Sequence, residues 1–566
     1  MEEGRNQNIR LGRVADTAPA AIGRPDGPAD GRIECEVLVL GGGSTGVGVA
    51  RDAAMRGLST VLVERADLAT GTSGRFHGLL HSGGRYAVKD PQAARECIAE
   101  NIVLRRIAAD CIEDTGGLFV TTPIDDPQYA DRFIQGCQDT GVPAEEIGVA
   151  EALRREPRLN PRITRAFVVP DATADAWKTV WTCARSATEY GARILTYHEV
   201  VAVTRDGDQV TGVVARRPDG EQVQIRAQVT VSATGAWAGR IAAMAGCQVQ
   251  VLPGKGIMMA SSHRLVQAVV NRCEMPADGD ILVPIRTVSV IGTTDTLVQD
   301  PDHWAITKAE IDQMLEAGEN LVPGFTAARM LRVWGGVRPL FQDHAAAETR
   351  DVTRAHAVLD HRARDGVAGF LTITGGKFCT FRLMAEDAVD AACKVLGTTR
   401  PCRTADEPLP DSQDRRFYQL GSRLAERERT LADEQLICEC ELVRRGRLEE
   451  EMIRRTAPSL DDLRRALRLG MGPCQGGFCM FRATGILHQL KHLSAAEADQ
   501  ALLAFLEERW KGVYPLLHGD QLRQAWLDDW IFQGVLDVEH LPLTAPARET
   551  EPATEAVTDP AAERAT

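Results

Sequence analysis

The apolar positions fall first into short runs separated by helix-compatible stretches, and towards the end of the chain into longer helical repeats. Residues 36–40 (EVLVL) form a β-branched apolar run, followed at once by a glycine-rich turn, 41–46 (GGGSTG), and a helix-compatible stretch, 47–56, that stops at Gly57. A second apolar run, 60–63, ends in Glu64. Two later runs, 229–235 (VTVSATG) and 370–377 (FLTITGGK), are again strand-like segments entering glycine turns. Such runs, bounded by glycines and alternating with helical patterns, predict an α/β region over 33–402. A polar connector follows over 403–435, with Pro408 and Pro410. Beyond it, 436–490 reads as a small helical domain. There 442–453 predicts one helix, and Ser459 opens a second as a capping box, with Leu460, Leu463 and Leu467 on one face and a stop at Gly470. The segment 491–543 predicts amphipathic helices over 501–516 and 519–533, with Trp510, Trp526 and Trp530. The two ends, 1–32 and 544–566, have no apolar period and a composition that cannot offset its ordering entropy, which predicts disordered tails.

Length and charge narrow the choice of function. A chain of 566 residues exceeds a single compact core. With 65 Lys and Arg against 79 Asp and Glu, the formal charge of −14 argues against nucleic acid as a main partner and against direct adhesion to anionic lipid. No stretch approaches the roughly 20 apolar residues of a membrane span, and the N-terminus lacks the apolar core of a signal peptide. The expected location is therefore inside the cell, in the cytoplasm. Of fourteen cysteines, ten are scattered singly, as small core residues or inert thiols are, and four are clustered.

The first segment carries recognisable chemistry. Strand, G-x-G-x-x-G turn, helix and a second strand closing on an acidic residue are the parts of a dinucleotide site in their working order. Gly41 permits the tight turn, Gly43 lets the backbone approach a pyrophosphate, and Gly46 allows close helix packing. Ser44 and Thr45 complete the turn at the helix N-terminus, whose free N–H groups favour an anion. Glu64 is placed to accept from a ribose hydroxyl. Spacing alone does not separate FAD from NAD.

The clustered cysteines form a C-x-C pair, Cys438 and Cys440, and a C-x₄-C pair, Cys474 and Cys479. Four thiolates suit a [2Fe–2S] cluster or a tetrahedral zinc, and the C-x-C spacing is unusual for zinc. A metal that merely staples a small helical domain is the alternative to a redox centre.

The strand-turns at 229–235 and 370–377 resemble those of two-domain flavoproteins, in which the chain revisits a Rossmann-like dinucleotide fold after an inserted substrate domain. The stretches 71–89 (GTSGRFHGLLHSGGRYAVK) and 94–101 (ARECIAEN), with 280–284 (DILVP), 291–294 (IGTT), 335–340 (GGVRPL) and 372–382, are similar to FAD-dependent glycerol-3-phosphate dehydrogenases, and more narrowly to the catalytic A subunits of the anaerobic enzymes. This likeness covers about residues 35–540. It implies a two-domain FAD-dependent oxidoreductase with an interleaved substrate domain and a [2Fe–2S] domain of the bacterioferritin-associated-ferredoxin type, although the second cysteine pair here is more widely spaced than that type's two-residue gap. It also implies oxidation of sn-glycerol 3-phosphate to dihydroxyacetone phosphate. Electrons would pass through the cluster to partner subunits, one of them a membrane-anchoring iron–sulfur protein, and on to quinone, with the chain peripheral on the inner face of the membrane.

Carried over by position, Thr72 and Ser73 match residues near the pyrophosphate and flavin, and Gly235, Gly375 and Gly376 lie in the returning turns. His81, Arg85 and Tyr86 match the substrate side; Arg338, Lys377 and Arg382 match basic positions of the same cavity. A phosphate monoester needs several cationic donors, which assigns Arg85, Arg338 and Lys377 to it. Removal of the C2 hydroxyl proton suits a group titrating near neutrality, which makes His81 the candidate base; His77 is expected to be structural or flavin-supporting. Two alternatives stay open: a flavin dehydrogenase for another 2-hydroxy acid or an amine, and a non-catalytic electron-transfer protein.

Overall fold

The computed structural model describes residues 32–341, 352–430, 435–455 and 457–541. The expectation of disordered tails falls almost wholly outside them, except that Arg32 already belongs to the first strand, Arg32–Leu40. Val37, Leu38, Val39 and Leu40 are fully buried, as a strand covered on both faces requires. This strand runs parallel to Thr60–Val63 on one side and to Gln222–Ser232 on the other. Phe370–Gly375 joins parallel to the end of Gln222–Ser232, and His356–Asp360 pairs antiparallel with it. The helix Ser44–Met55 rises directly from the glycine turn. A Cβ on its Gly48 would stand 3.0 Å from the Ala385 side chain, so glycine there permits close packing on the helix Phe381–Val395.

A second, nine-stranded sheet is built from segments between these visits. Gly117–Thr121, Glu145–Ile147 and Arg165–Val169 come from the first excursion, and Val251–Ser261 through Met330–Phe341 from the second. The two sheets have separate cores, one around Val39, Val49, Leu62 and Val231, the other around Leu118, Ile257, Leu282 and Phe325. The architecture is thus the interleaved α/β arrangement expected, with the substrate domain entered twice.

The expected polar connector is firmly seated at its start: Leu409 N donates to Ile107 O (2.7 Å), Tyr418 N to Ile112 O (2.8 Å), and Leu409 is buried. After it, Leu436–Cys438 and Val443–Arg444 form a small hairpin, so the helix expected from 442 begins only at Arg445. Ser459 caps Leu460–Leu467 with Asp462, as its capping box predicts. Ile437, Leu448, Leu463, Met480 and Phe505 share the core of this domain. Ala495–Val513 is the long helix of the C-terminal part, and the second expected helix breaks into Arg523–Asp528 and a π-helical turn, Asp529–Val535. Among the described residues no helix is long and apolar enough to cross a membrane.

The cysteine domain is clamped to the first domain by buried polar pairs. Tyr197 donates its hydroxyl to Asp462 (2.6 Å), while Arg455 and Arg465 reach Asp67 at 3.3 and 3.4 Å. Asp67 is buried, so its carboxylate is tolerable only beside those cations.

Candidate active site

The glycine turn opens onto a cavity of about 1140 Å³ that runs between the two sheets. Gly41 has φ +106°, and a Cβ there would stand 2.7 Å from Ala233 O. A Cβ on Gly46 would stand 1.9 Å from Gly41 O, so this glycine is fixed by helix-on-strand packing and does not itself line the cavity. Gly43, Ser44 and Thr45 do line it. Ser44 N donates to Ser73 Oγ (2.9 Å), which places the Ser73 hydroxyl at the helix N-terminus. The Glu64 carboxylate accepts from Gly42 N (2.7 Å) and Ala66 N (2.9 Å) at the cavity wall; burial raises its pKa despite these bonds. Thr72 donates to Val337 O at 2.5 Å, and Thr72, Ser73, Gly235, Gly375 and Gly376 all border the same space. Gly375 and Gly376 have φ near +75° and +72°, the left-handed region that favours glycine. The cavity therefore has a narrow glycine-lined end, in which added side chains would collide, and an acidic residue at the distance of a second strand. That cradle fits an extended dinucleotide.

The other end is cationic. Arg85 pairs with Asp280 and donates to Ala277 O (3.3 Å). Arg338 pairs with Asp295 at 3.2 Å and donates to Thr294 O (3.0 Å) and to the Thr293 hydroxyl. Burial, and after it Arg354, pulls the Arg338 guanidinium down to about 10, so it remains charged at neutral pH. Lys377 donates to Arg354 O (2.9 Å) and stands 5.2 Å from the centre of the Tyr86 ring. Burial opposes its charge, but the neighbouring Cys97, Cys379 and Tyr86 outweigh that and raise its pKa.

Arg354 and Asp295 are site residues that the sequence reading missed. Asp295 directly follows the noted 291–294 stretch and offered a signal; Arg354 lies in no motif and offered none. Arg354 lies 3.7 Å from Asp295. Four cations, Arg85, Arg338, Arg354 and Lys377, thus face two carboxylates, Asp280 and Asp295. Asp90 also reaches this end, accepting from Arg354 N (3.0 Å); the convergence of four cationic side chains on one end suits a phosphate.

His81 and His77 line the cavity beside this cationic end. The His81 ring packs against Tyr86 (5.3 Å between centres) and edge-on to His77 (6.1 Å). Burial, then His77, Arg85, Lys377 and Arg354, hold its pKa well below 6.5, so the imidazole is neutral but only weakly basic, short of the near-neutral titration expected of the candidate base. His77 Nδ1 accepts from Leu79 N (3.1 Å), which leaves its proton on Nε2 and no free lone pair. Burial pushes its pKa down to about 3. It can donate into the cavity but is a poor base.

One expected site residue is elsewhere. Arg382 does not border the cavity: its guanidinium is held by Glu100 at 2.5–2.9 Å and by Glu386 at 2.6 Å, in the first turn of the helix Phe381–Val395. A helix that starts just after the Gly375–Gly376 turn carries this side chain to the Pro91–Ile107 helix, away from the cationic end. Arg382→Ala would leave Glu100 buried without its cation, so thermal unfolding should show about 3–5 kcal/mol lost stability, with substrate affinity of the folded fraction unchanged.

In the small domain Cys438 ends the strand Leu436–Cys438, Cys479 opens the helix Cys479–Lys491, and Cys440 and Cys474 lie in the turns beside them. Cys438 pairs with Cys479, and Cys440 with Cys474, so each pair joins the two segments. Cys474 is pushed down to about 6, first by the Cys440 thiol and then, against burial, by the backbone N–H groups of Gly476, Phe478 and Gly477. This donor set suits a group bound by four thiolates.

The family described as FAD dependent oxidoreductase matches residues 36–382. The A subunit of the anaerobic glycerol-3-phosphate dehydrogenase of Escherichia coli K12 is 44% identical over 526 residues, 89% of this chain and 97% of that one. The A1 subunit of the corresponding Haloferax volcanii enzyme is 42% identical, with 90% and 92% covered. Among solved structures, the glycerol-3-phosphate dehydrogenase from Bacillus halodurans complexed with FAD superposes with a TM-score of 0.63 at 22% identity, over 86% of this chain and 96% of that one, a likeness of fold. The chain belongs to the FAD dependent oxidoreductase family and, within it, to the group of anaerobic glycerol-3-phosphate dehydrogenase A subunits.

Proposed function

We propose that this chain oxidises sn-glycerol 3-phosphate to dihydroxyacetone phosphate with FAD and sends the electrons through a [2Fe–2S] cluster to partner subunits and quinone. The observation that carries the reading is the convergence of Arg85, Arg338, Arg354 and Lys377 at one end of a cavity whose other end is a dinucleotide cradle. Gly41, Gly43, Ser44, Thr45, Glu64, Thr72 and Ser73 would hold the dinucleotide, with Gly235, Gly375 and Gly376 lining the space for its ring system. When bound, FAD supplies the acceptor for the hydrogen and electron pair that leave carbon 2.

The chain's own groups do the rest. Lys377 and Arg354, with Arg338 and Arg85, bind the phosphate and fix the triol's orientation, because each charge-assisted hydrogen bond contributes roughly 1.5–3 kcal/mol. His81, neutral beforehand, takes the proton of the C2 hydroxyl; burial is the main cause of its low basicity, and the incoming dianion offsets the share that the cations add. Tyr86 covers the Lys377 ammonium and excludes water beside it. Cys438, Cys440, Cys474 and Cys479 would ligate the cluster, which supplies one-electron transfer outward. The absence of a membrane-spanning helix among the described residues is compatible with peripheral attachment through a partner on the inner face of the membrane.

Addition of glycerol 3-phosphate to the purified protein under argon should bleach the flavin absorption band, whereas glycerol should leave it unchanged. An unaltered band with the phosphorylated substrate would overturn the reading.

A further inference from the structure

We propose that Cys97 and Cys379 are a peroxide-oxidisable dithiol site built into the wall of the flavin cavity, and that their disulfide displaces the Lys377 turn and weakens substrate binding. The two sulfurs lie 3.4 Å apart although 282 residues separate them in sequence. Cys97 is fully buried in the Pro91–Ile107 helix, and Cys379, 1% exposed, sits in the turn Phe378–Thr380 and borders the cavity. Access is therefore from the cavity side, through Cys379.

The approach is held from a second point. One helical turn beyond Cys97, Glu100 grips Arg382, three residues beyond Cys379. The backbones that carry the thiols are thus clamped side by side, and closing the gap to a disulfide bond of about 2.05 Å needs a shift of little more than an ångström.

The environment also separates Cys379 from the other scattered cysteines. Cys35, Cys137, Cys183 and Cys273 are pushed up to about 12 by burial, which leaves them inert thiols. Cys379 is shifted the other way, first by the thiol of Cys97 and then, against burial, by the Lys377 ammonium. Cys97 is raised, first by burial and then by the Cys379 thiol, and keeps the proton.

The chemistry balances with one hydroperoxide. The Cys379 thiolate attacks a peroxide oxygen, the O–O bond breaks, and the departing hydroxide takes a proton to become water. The resulting sulfenic acid is attacked by the sulfur of Cys97, which gives up its proton as a second water leaves. Two thiols and one hydrogen peroxide become one disulfide and two waters; sulfur is oxidised and peroxide reduced. Because Cys379 is two residues from Lys377, movement of its sulfur towards the Pro91–Ile107 helix shifts the ammonium that completes the cationic end.

The test uses flavin-loaded enzyme treated with hydrogen peroxide, then alkylated and digested without reductant. A cross-linked peptide pair containing Cys97 and Cys379, two hydrogens lighter than the separate peptides, is expected, in proportion to a fall in the rate of flavin reduction by substrate. Dithiothreitol should restore both. Reading flavin reduction keeps damage at Cys438, Cys440, Cys474 and Cys479 out of the signal. Cys97→Ala, which lies outside the cavity lining, should keep the basal rate and lose the reversible component. Recovery of both cysteines fully alkylated after peroxide, or an equal and reversible loss in Cys97→Ala, would overturn the proposal.

Discussion

Lys377→Ala and Arg338→Ala should each raise the KM for glycerol 3-phosphate by about tenfold to over a hundredfold, the equivalent of the roughly 1.5–3 kcal/mol of a charge-assisted hydrogen bond. Flavin content should stay at the level of the unaltered protein. The two changes are not equivalent. Lys377 is bound to a carbonyl and to the face of an aromatic ring, so its removal subtracts one positive charge and leaves no carboxylate behind. Arg338 also neutralises Asp295, which among the described residues would keep Arg354 alone, at 3.7 Å. Arg338→Ala therefore exposes an incoming dianion to a poorly paired carboxylate and should be the more damaging. Arg338→Ala combined with Asp295→Asn should recover part of the loss, because the repulsion goes even though the missing fork is not replaced. Steady-state kinetics with an artificial electron acceptor under argon measure all three. An unchanged KM in both single variants would remove these residues from the phosphate site.

The contrast between Arg338 and Arg382 shows how far the sequence could be read. The strand, glycine turn, helix and Glu64 are contiguous, so local backbone rules place them, and the structure puts Glu64 on the cavity wall with Gly41 in its positive-φ turn. The Ser459 capping box was legible for the same reason. The cationic end is different. Arg85, Arg338, Arg354 and Lys377 come from four separated segments, and the three arginines pair with Asp280 and Asp295, which no periodicity connects to them. Arg382 lies in the same short stretch as Lys377, yet a helix start between them turns it to Glu100, a partner 282 residues away. The Cys97–Cys379 contact was invisible for the same reason: single scattered thiols carry no pattern, and only the packing of one helix against one turn makes them neighbours.

Cys474→Ser should separate the two halves of the proposed reaction. Flavin reduction by glycerol 3-phosphate under argon should proceed at the unaltered rate, because Cys474 lies on the small domain and does not border the flavin cavity. Delivery of electrons to quinone in membranes containing the partner subunits should be abolished. The choice of residue follows from its surroundings: the N–H groups of Gly476, Gly477 and Phe478 and the thiol of Cys440 stabilise a thiolate there, and a serine hydroxyl, far less acidic, cannot provide an equivalent anionic ligand. Loss of the metal could also loosen the domain, whose core around Leu448, Leu463 and Met480 is small. The domain's seat on the first domain, through Tyr197, Arg455 and Arg465, is independent of the cysteines, so the flavin half should remain folded. Iron content and the cluster's absorption distinguish a missing cluster from a broken partner contact. A variant that lacks iron but still turns over with quinone at the normal rate would show that electrons leave the flavin by another route, and the four thiolates would then be a structural staple.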